Sequence, residues 1–301
     1  MSGIINPKDV INGVYRAVGE FKKRGFETGC IGKTALGCAI PYIKKGDEAY
    51  GKALIFGAIH AREYITAPLA VKMAEEYDGK SAIYFVPLVN VDGVALCVFG
   101  LDALDFLIDG GFIQSLIAGE KDAIKQRLLR INGGPDFSLW KANINAVDLN
   151  VNFDADWGTG TQNVTVPSPS NYIGEYPESQ TETRALTDFT AKLGFDIALC
   201  YHCKGEVIYY GYKNNTPCPA GAELYSKVTG YRLSWSAGSA GGYKDWFTMT
   251  YDRLSLTFEV GAENKTYAEL NGDFDAIWQR NSGVTEVTDY ILRGGRRGRF
   301  G

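Results

Sequence analysis

The chain of 301 residues carries two histidines, His60 and His202, and each stands where ligand chemistry is expected. His60 lies in GAIHAREYIT (57–66), between the apolar run ALIF (53–56) and a segment whose Ile65, Leu69, Ala70, Met73 and Ala74 recur at helical spacing. That pattern predicts a strand, a turn and a helix. Glu63 follows His60 by three residues, a spacing that puts both side chains on one face. His202 comes directly after DIALCY (196–201), another predicted strand. Ligand sites in open α/β sheets form beyond the carboxyl ends of the strands. Two imidazoles and one carboxylate leave a fourth position open for water, which is the His₂Glu donor set of a catalytic zinc site and not of a closed structural one. Taken singly, HxxE also reads as a polar helix start, and a lone histidine as a structural residue. Together they point to a metal, and residue type alone admits other divalent ions besides zinc.

Metal-assisted hydrolysis needs a group that takes a proton from water and later returns it to the leaving nitrogen. Glu259 in LSLTFEVG ends an apolar run, where a carboxylate is out of character; its plain reading is a surface-facing strand residue. Cys200 and Cys203 flank His202 as CYHC. In a strand Cys200 shares the face of His202 while Cys203 points away. No helix follows the pair, as a thioredoxin-type CxxC would require, so both sulfurs read as core.

The elements that must position these groups follow from periodicity. Residues 8–25 read as an amphipathic helix, 31–47 as two strands around a glycine turn, 53–59 as strand, 63–77 as helix and 82–89 as strand. Strand, helix, strand with short loops is the pattern of a largely parallel sheet. Residues 101–131 read as helix interrupted at Gly110 and Gly111, and 132–177 as a long irregular stretch of the kind that is usually functional. Helix at 178–193, strands at 196–201 and 206–212, helices at 222–228 and 243–249, a strand at 254–260 and a final helical region at 273–292 complete the chain. No internal repeat or low-complexity linker divides it. The expectation is one catalytic domain over 1–292 and a basic tail, RGGRRGRFG (293–301), that is solvated and mobile. A net charge of −4 argues against a nucleic-acid partner. No window approaches the ~18 apolar residues of a membrane span, and the N-terminus has no signal-peptide core. Six cysteines without framework spacing fit free thiols in a reducing, cytoplasmic compartment.

In chain order, HARE (60–63), NVDGV (90–94), DLNVNF (148–153), EYPESQTETRAL (175–186), YHCKG (201–205) and LTFEVG (256–261) resemble the motifs of the zinc carboxypeptidases, the carboxypeptidase A-like metallopeptidases. The resemblance covers nearly the whole chain, from about residue 31 to 292. It implies a three-layer α/β/α fold with a mixed, mostly parallel eight-stranded sheet. It implies one zinc per chain held by His60, Glu63 and His202, with Glu259 as general base and acid. Lys141 falls where the family usually has an arginine polarising the scissile carbonyl, and keeps the charge without the bidentate fork. Arg62 and Asn150 match substrate-binding positions.

Two departures bear on the substrate. Val151 stands where the family's carboxylate-binding arginine is expected, and Ala237 near its mobile tyrosine; Trp235 and Tyr243 are candidates to substitute, and Arg232 and Arg253 to supply a replacement cation. Loss of a cation that grips a free C-terminal carboxylate points away from ordinary carboxypeptidase substrates and leaves exo- and endopeptidase action open. The subgroup of nearest resemblance is the bacterial γ-D-glutamyl-meso-diaminopimelate peptidases. The expected function is a zinc metallopeptidase that cleaves an amide in a peptide or muropeptide. A zinc amidohydrolase or deacylase acting on a small molecule, and a non-catalytic binding module of the same fold, are the alternatives. The oligomeric state is not encoded in any pattern found.

Overall fold

A computed structural model describes residues 5–235 and 240–295. The strands are β1 (Thr28–Lys33), β2 (Ala39–Lys45), β3 (Asp47–Phe56), β4 (Ser81–Val86), β5 (Ile197–Cys203), β6 (Val207–Tyr210), β7 (Arg232–Trp235) and β8 (Leu254–Val260). They form one sheet in the order β1-β2-β4-β3-β5-β8-β6-β7. The central strands β4, β3, β5 and β8 run parallel, β6 and β7 pair parallel, and the β1–β2, β2–β4 and β6–β8 pairings are antiparallel. The expected mixed eight-stranded sheet is therefore present.

The helices are α1 (Val10–Lys23), α2 (Thr66–Glu76), α3 (Val91–Phe99), α4 (Ala103–Asp109), α5 (Ala118–Asn132), α6 (Thr181–Leu193), α7 (Pro219–Thr229), α8 (Tyr243–Tyr251), α9 (Tyr267–Leu270), α10 (Phe274–Asn281) and α11 (Val284–Gly295). Side chains alternate across the strands, so the sheet has two apolar faces. Ala53, Ile55, Leu199 and Tyr201 pack with α1, α2, α7, α10 and α11. Leu54, Phe56, Ala198 and Cys200 pack with α6 and α8 on the other side. Helices on both faces bury β4 and β5 completely, along with the last residues of β3 and most of β8, which is why these read as continuous apolar runs.

Several sequence expectations need adjusting. The helix after His60 starts at Thr66, and Ala61–Glu63 forms a single 3₁₀ turn. His202 lies inside β5, not just past it. Helix α3 and edge strand β7 were not anticipated. Arg293–Gly295 continue α11; the rest of the basic tail, and Ala237, lie outside the described residues.

Candidate metal centre

Three of the four parallel central strands, β3, β5 and β8, lead to the site. Beyond β3 the chain makes a tight turn: Ala58 has a positive φ of 49°, and its amide donates to Thr66 Oγ1 at 2.7 Å. A Cβ on Gly57 would stand 2.8 Å from the Thr66 carbonyl oxygen, so only glycine fits that approach. The turn is tied down from outside by Asn90, whose amide donates to the Ile59 and Ala142 carbonyls while its oxygen caps α3 at Gly93. The Ala61 amide donates to the Lys141 carbonyl at 3.0 Å. The NVDGV motif is thus a clamp on the His60 turn.

His60 and Glu63, presented by that turn, meet His202 from β5. His60 Nδ1 and Glu63 Oε1 are 3.0 Å apart, His202 Nδ1 and Glu63 Oε2 also 3.0 Å, and the two Nδ1 atoms 3.1 Å. All three residues are buried, and one ligand atom from each lies within 4.8 Å of the others. Two imidazole nitrogens and one carboxylate converging in this way could hold one cation between them. His202 Nε2 is buried with no hydrogen-bond partner among the described residues, so that ring is held from its Nδ1 side. Donor types, convergence and burial fit zinc. Neither Cys200 nor Cys203 joins the group: Cys200 packs on the α6/α8 face and Cys203 on the other.

Glu259 sits beside these ligands because β5 and β8 pair in register, His202 opposite Glu259. Residues level with each other on parallel neighbours point to the same face. A cleft of about 400 Å³ opens there, with Glu259, Lys141, Asn150 and Val151 in its walls.

A model of the family described as "Zinc carboxypeptidase" matches residues 26–232. The chain belongs to this family. Gamma-D-glutamyl-L-diamino acid endopeptidase 1 of Lysinibacillus sphaericus is 32% identical over 277 residues, which cover 84% of this chain and 65% of that protein. Mast cell carboxypeptidase A of Homo sapiens is 27% identical over 205 residues, covering 66% of this chain and 45% of that protein. The chain thus spans less than two thirds of the length of these curated relatives. Among solved structures, bovine thrombin-activatable fibrinolysis inhibitor superposes with a TM-score of 0.68 at 19% identity, over 94% of this chain and 97% of that one. Murein-tripeptide amidase MpaA from Escherichia coli O157 superposes with a TM-score of 0.54 at 16% identity, over 88% and 91% of the two chains. These likenesses establish the fold. The metal the family uses is zinc.

Around this candidate centre, the long 132–177 segment supplies a second layer that sequence reading missed. Asp148, fully buried, accepts from His60 Nε2 at 3.1 Å through Oδ1 and pairs with Lys141 Nζ at 2.7 Å through Oδ2. The backbone amides of Asn150 and Asn171 also donate to it, each at 3.1 Å. A carboxylate behind a ligating histidine fixes the ring's tautomer and orientation. The only signal in the sequence was an acidic residue opening DLNVNF.

The charges in the site work against their own burial. Burial pushes the His60 imidazole down, but the Glu63 and Asp148 carboxylates outweigh it and raise its pKa. Burial pushes Glu63 up, yet His60 and His202 bring it well below the usual carboxylate range. Asp148 is likewise lowered, against its burial, chiefly by Lys141 and His60. Glu259 goes the other way: burial pushes it up to about 7, with Glu63 adding repulsion and His202 and Lys141 opposing. A divalent cation between the ligands would pull Glu259 back down and displace any proton on His60.

Lys141 and Asn150 both line the cleft, as expected of the 132–177 segment. Lys141 is anchored by Asp148 and within 3.4 Å of Asn171 Oδ1. The Asn150 side-chain oxygen accepts from the Tyr243 amide at 3.1 Å. Arg62 stands off from the cleft wall: its guanidinium lies over the Tyr267 ring at 4.8 Å and donates to the Leu139 carbonyl at 3.3 Å. Tyr243 cannot replace the family tyrosine, because it is fully buried, hydrogen-bonded to Thr190 Oγ1 at 2.7 Å and packed between Phe56 and Phe153. Trp235 does line the cleft. Arg253 cannot supply a replacement cation there: it donates to the carbonyls of Gly194 and Phe195 and lines a separate cavity with Asp196 and Cys218. Arg232 opens β7 and lines neither cavity.

Proposed function

We propose that this chain is a zinc-dependent metallopeptidase that hydrolyses an amide bond in a peptidoglycan-derived peptide, with His60, Glu63 and His202 as the metal ligands. The observation that carries the proposal is the register of β5 against β8. In that register Glu259 lies opposite His202, and it lines the same cleft as Lys141 and Asn150. Zinc supplies Lewis acidity and lowers the pKa of a water molecule when bound in such a donor set.

The chain's own residues supply the rest. Glu259 takes a proton from the attacking water and delivers it to the leaving amine. Lys141 offers its ammonium to the carbonyl oxygen as negative charge develops there, and Asp148 holds both Lys141 and His60 in place. Asn150 offers its side-chain nitrogen to the substrate from the cleft wall, and Arg62 contacts a more distant part. The peptidoglycan substrate is supported by the printed activity of the Lysinibacillus relative, a γ-D-glutamyl-L-diamino acid endopeptidase. Val151 at the position of the expected arginine supports it too, because no cation at that residue holds a terminal carboxylate. All six cysteines are unpaired, which supports a reducing, cytoplasmic setting.

The test is mass spectrometry of muropeptides and ordinary C-terminal peptides incubated with the zinc-loaded protein. Cleavage next to the diamino acid is the expected result. Cleavage of ordinary peptides alone would overturn the substrate assignment, and hydrolysis only of small acylated amines would favour a deacylase.

A further inference from the structure

The loop 143–152 carries Asp148, the carboxylate behind His60, and Asn150 and Val151 of the cleft wall. It does not hold its own shape. Ala146, fully buried, has a φ of 61°, a left-handed conformation that is strained for any residue with a Cβ. The Asn143 side chain closes the turn around it: Asn143 Oδ1 accepts from the amides of Asn145 at 3.0 Å and Val147 at 3.1 Å, on either side of Ala146. With its oxygen so engaged, Asn143 turns its Nδ2 away from the loop as a donor. That residue is buried, so the donor needs an acceptor from elsewhere in the fold.

Gln180, buried at the entry to α6, provides one. Its Oε1 accepts from Asn143 Nδ2 at 3.0 Å and from Asn145 Nδ2 at 3.2 Å. The Glu182 carboxylate stands further from Asn143 Nδ2, at 3.3 and 3.4 Å, beyond the usual range of a strong bond. Gln180 also reaches the other end of the loop. Its backbone amide donates to Asn152 Oδ1 at 3.2 Å, and its Nε2 donates to Ser179 Oγ, which accepts from Asn152 Nδ2 as well, each at 3.0 Å. Resting on the reading that His60, Glu63 and His202 hold zinc, we propose that Gln180 is a positioning residue of the metal centre. Through Asn143 and Asn152 it braces both ends of the loop in the conformation that brings the Asp148 carboxylate to His60. An apolar side chain of the same length would remove the acceptor, let the turn at Ala146 relax and draw Asp148 away from the imidazole.

The experiment measures zinc affinity by chelator competition for wild type, Gln180→Met, Asp148→Asn and the double variant, with the fold of each checked by circular dichroism. Gln180→Met should weaken zinc binding about 10-fold, the lower end of what contacts behind a ligand contribute. The double variant should bind no more weakly than Asp148→Asn alone, because both changes remove the same contact and residues in one network do not add. Gln180→Glu keeps an acceptor at the same reach and should stay within a few-fold of wild type. Gln180→Asn, one methylene too short, should lose affinity as the Met variant does, and takes its place in the cycle if the Met variant does not fold. Unchanged affinity in Gln180→Met, an equal loss in the Met and Glu variants, or losses that add in the double variant would each overturn the brace. Wild-type protein that binds no zinc would instead reject the metal centre itself, and the brace with it.

Discussion

Two clusters of buried carboxylates sit on this fold and behave in opposite ways. At the metal centre, Glu63 and Asp148 are buried among His60, His202 and Lys141, and both are held well below the usual carboxylate range. Elsewhere, Asp92 on α3 and Glu182 on α6 are equally buried, and their hydrogen-bond donors are neutral: Thr34 Oγ1 and the Leu36 amide on Asp92, Asn143 Nδ2, Thr181 Oγ1 and the Ala35 amide on Glu182. Burial raises both, and the repulsion of Asp92 helps push Glu182 up to about 7. Burial alone therefore does not decide the charge of an acid in this protein. At the metal centre cations within hydrogen-bond reach lower both carboxylates, and no such cation contacts Asp92 or Glu182 among the described residues. The Asp92–Glu182 cluster instead fastens the β1–β2 turn to α3 and α6.

Glu259 lies between these regimes, half-buried where Glu182 is fully buried and opposite His202 in the sheet, and it gives the largest expected effect. Glu259→Gln should keep zinc and fold while losing on the order of 10²–10⁴-fold in kcat, the usual worth of a general base. Activity within a few-fold of wild type would place the base elsewhere.

The next effect is on stability. A carboxyl whose folded pKa is raised binds its proton more tightly in the native state, so its contribution falls as pH rises. For Glu182 the window runs from the ordinary value of 4.5 to about 7, and a shift of that size corresponds to on the order of 3 kcal/mol at most. Glu63 and Asp148 act in the opposite sense: their contribution is present above their unfolded pKa and is lost only as pH falls below about 4. Thermal melts from pH 4.5 to 8 should show Glu182→Gln flattening the decline seen in wild type. An unchanged slope would show that Glu182 is ionised in the native state and that the contrast between the clusters is wrong.

A smaller effect is expected behind His60. Asp148→Asn leaves the three ligands in place but removes the carboxylate that orients the ring, and such changes cost about 10- to 100-fold in metal affinity. Competition with a chelator measures it. Affinity equal to wild type would make Asp148 an anchor for Lys141 only.

His202 and Glu259 were readable in the sequence because each is a polar interruption near the end of an apolar strand: His202 after DIALCY, Glu259 after LSLTF. What escaped did so for physical reasons. Helix α3 is buried on nearly every side, so VDGVALCVF has no polar stripe to reveal its period. Edge strand β7 reads RLSW, half-exposed and without alternation. Asp148 looks like an ordinary surface charge, because sequence spacing cannot report that a loop has been folded inward. Tyr243 failed as a cleft residue for the same reason in reverse, since its ring closes the core between β3 and α8.

The central claim is that His60, Glu63 and His202 are one metal site, and zinc stoichiometry tests it most directly. Wild-type protein and His202→Ala, purified side by side and analysed by elemental mass spectrometry, should give one zinc per chain and almost none. Full occupancy in the variant, with its fold confirmed by circular dichroism, would contradict the account.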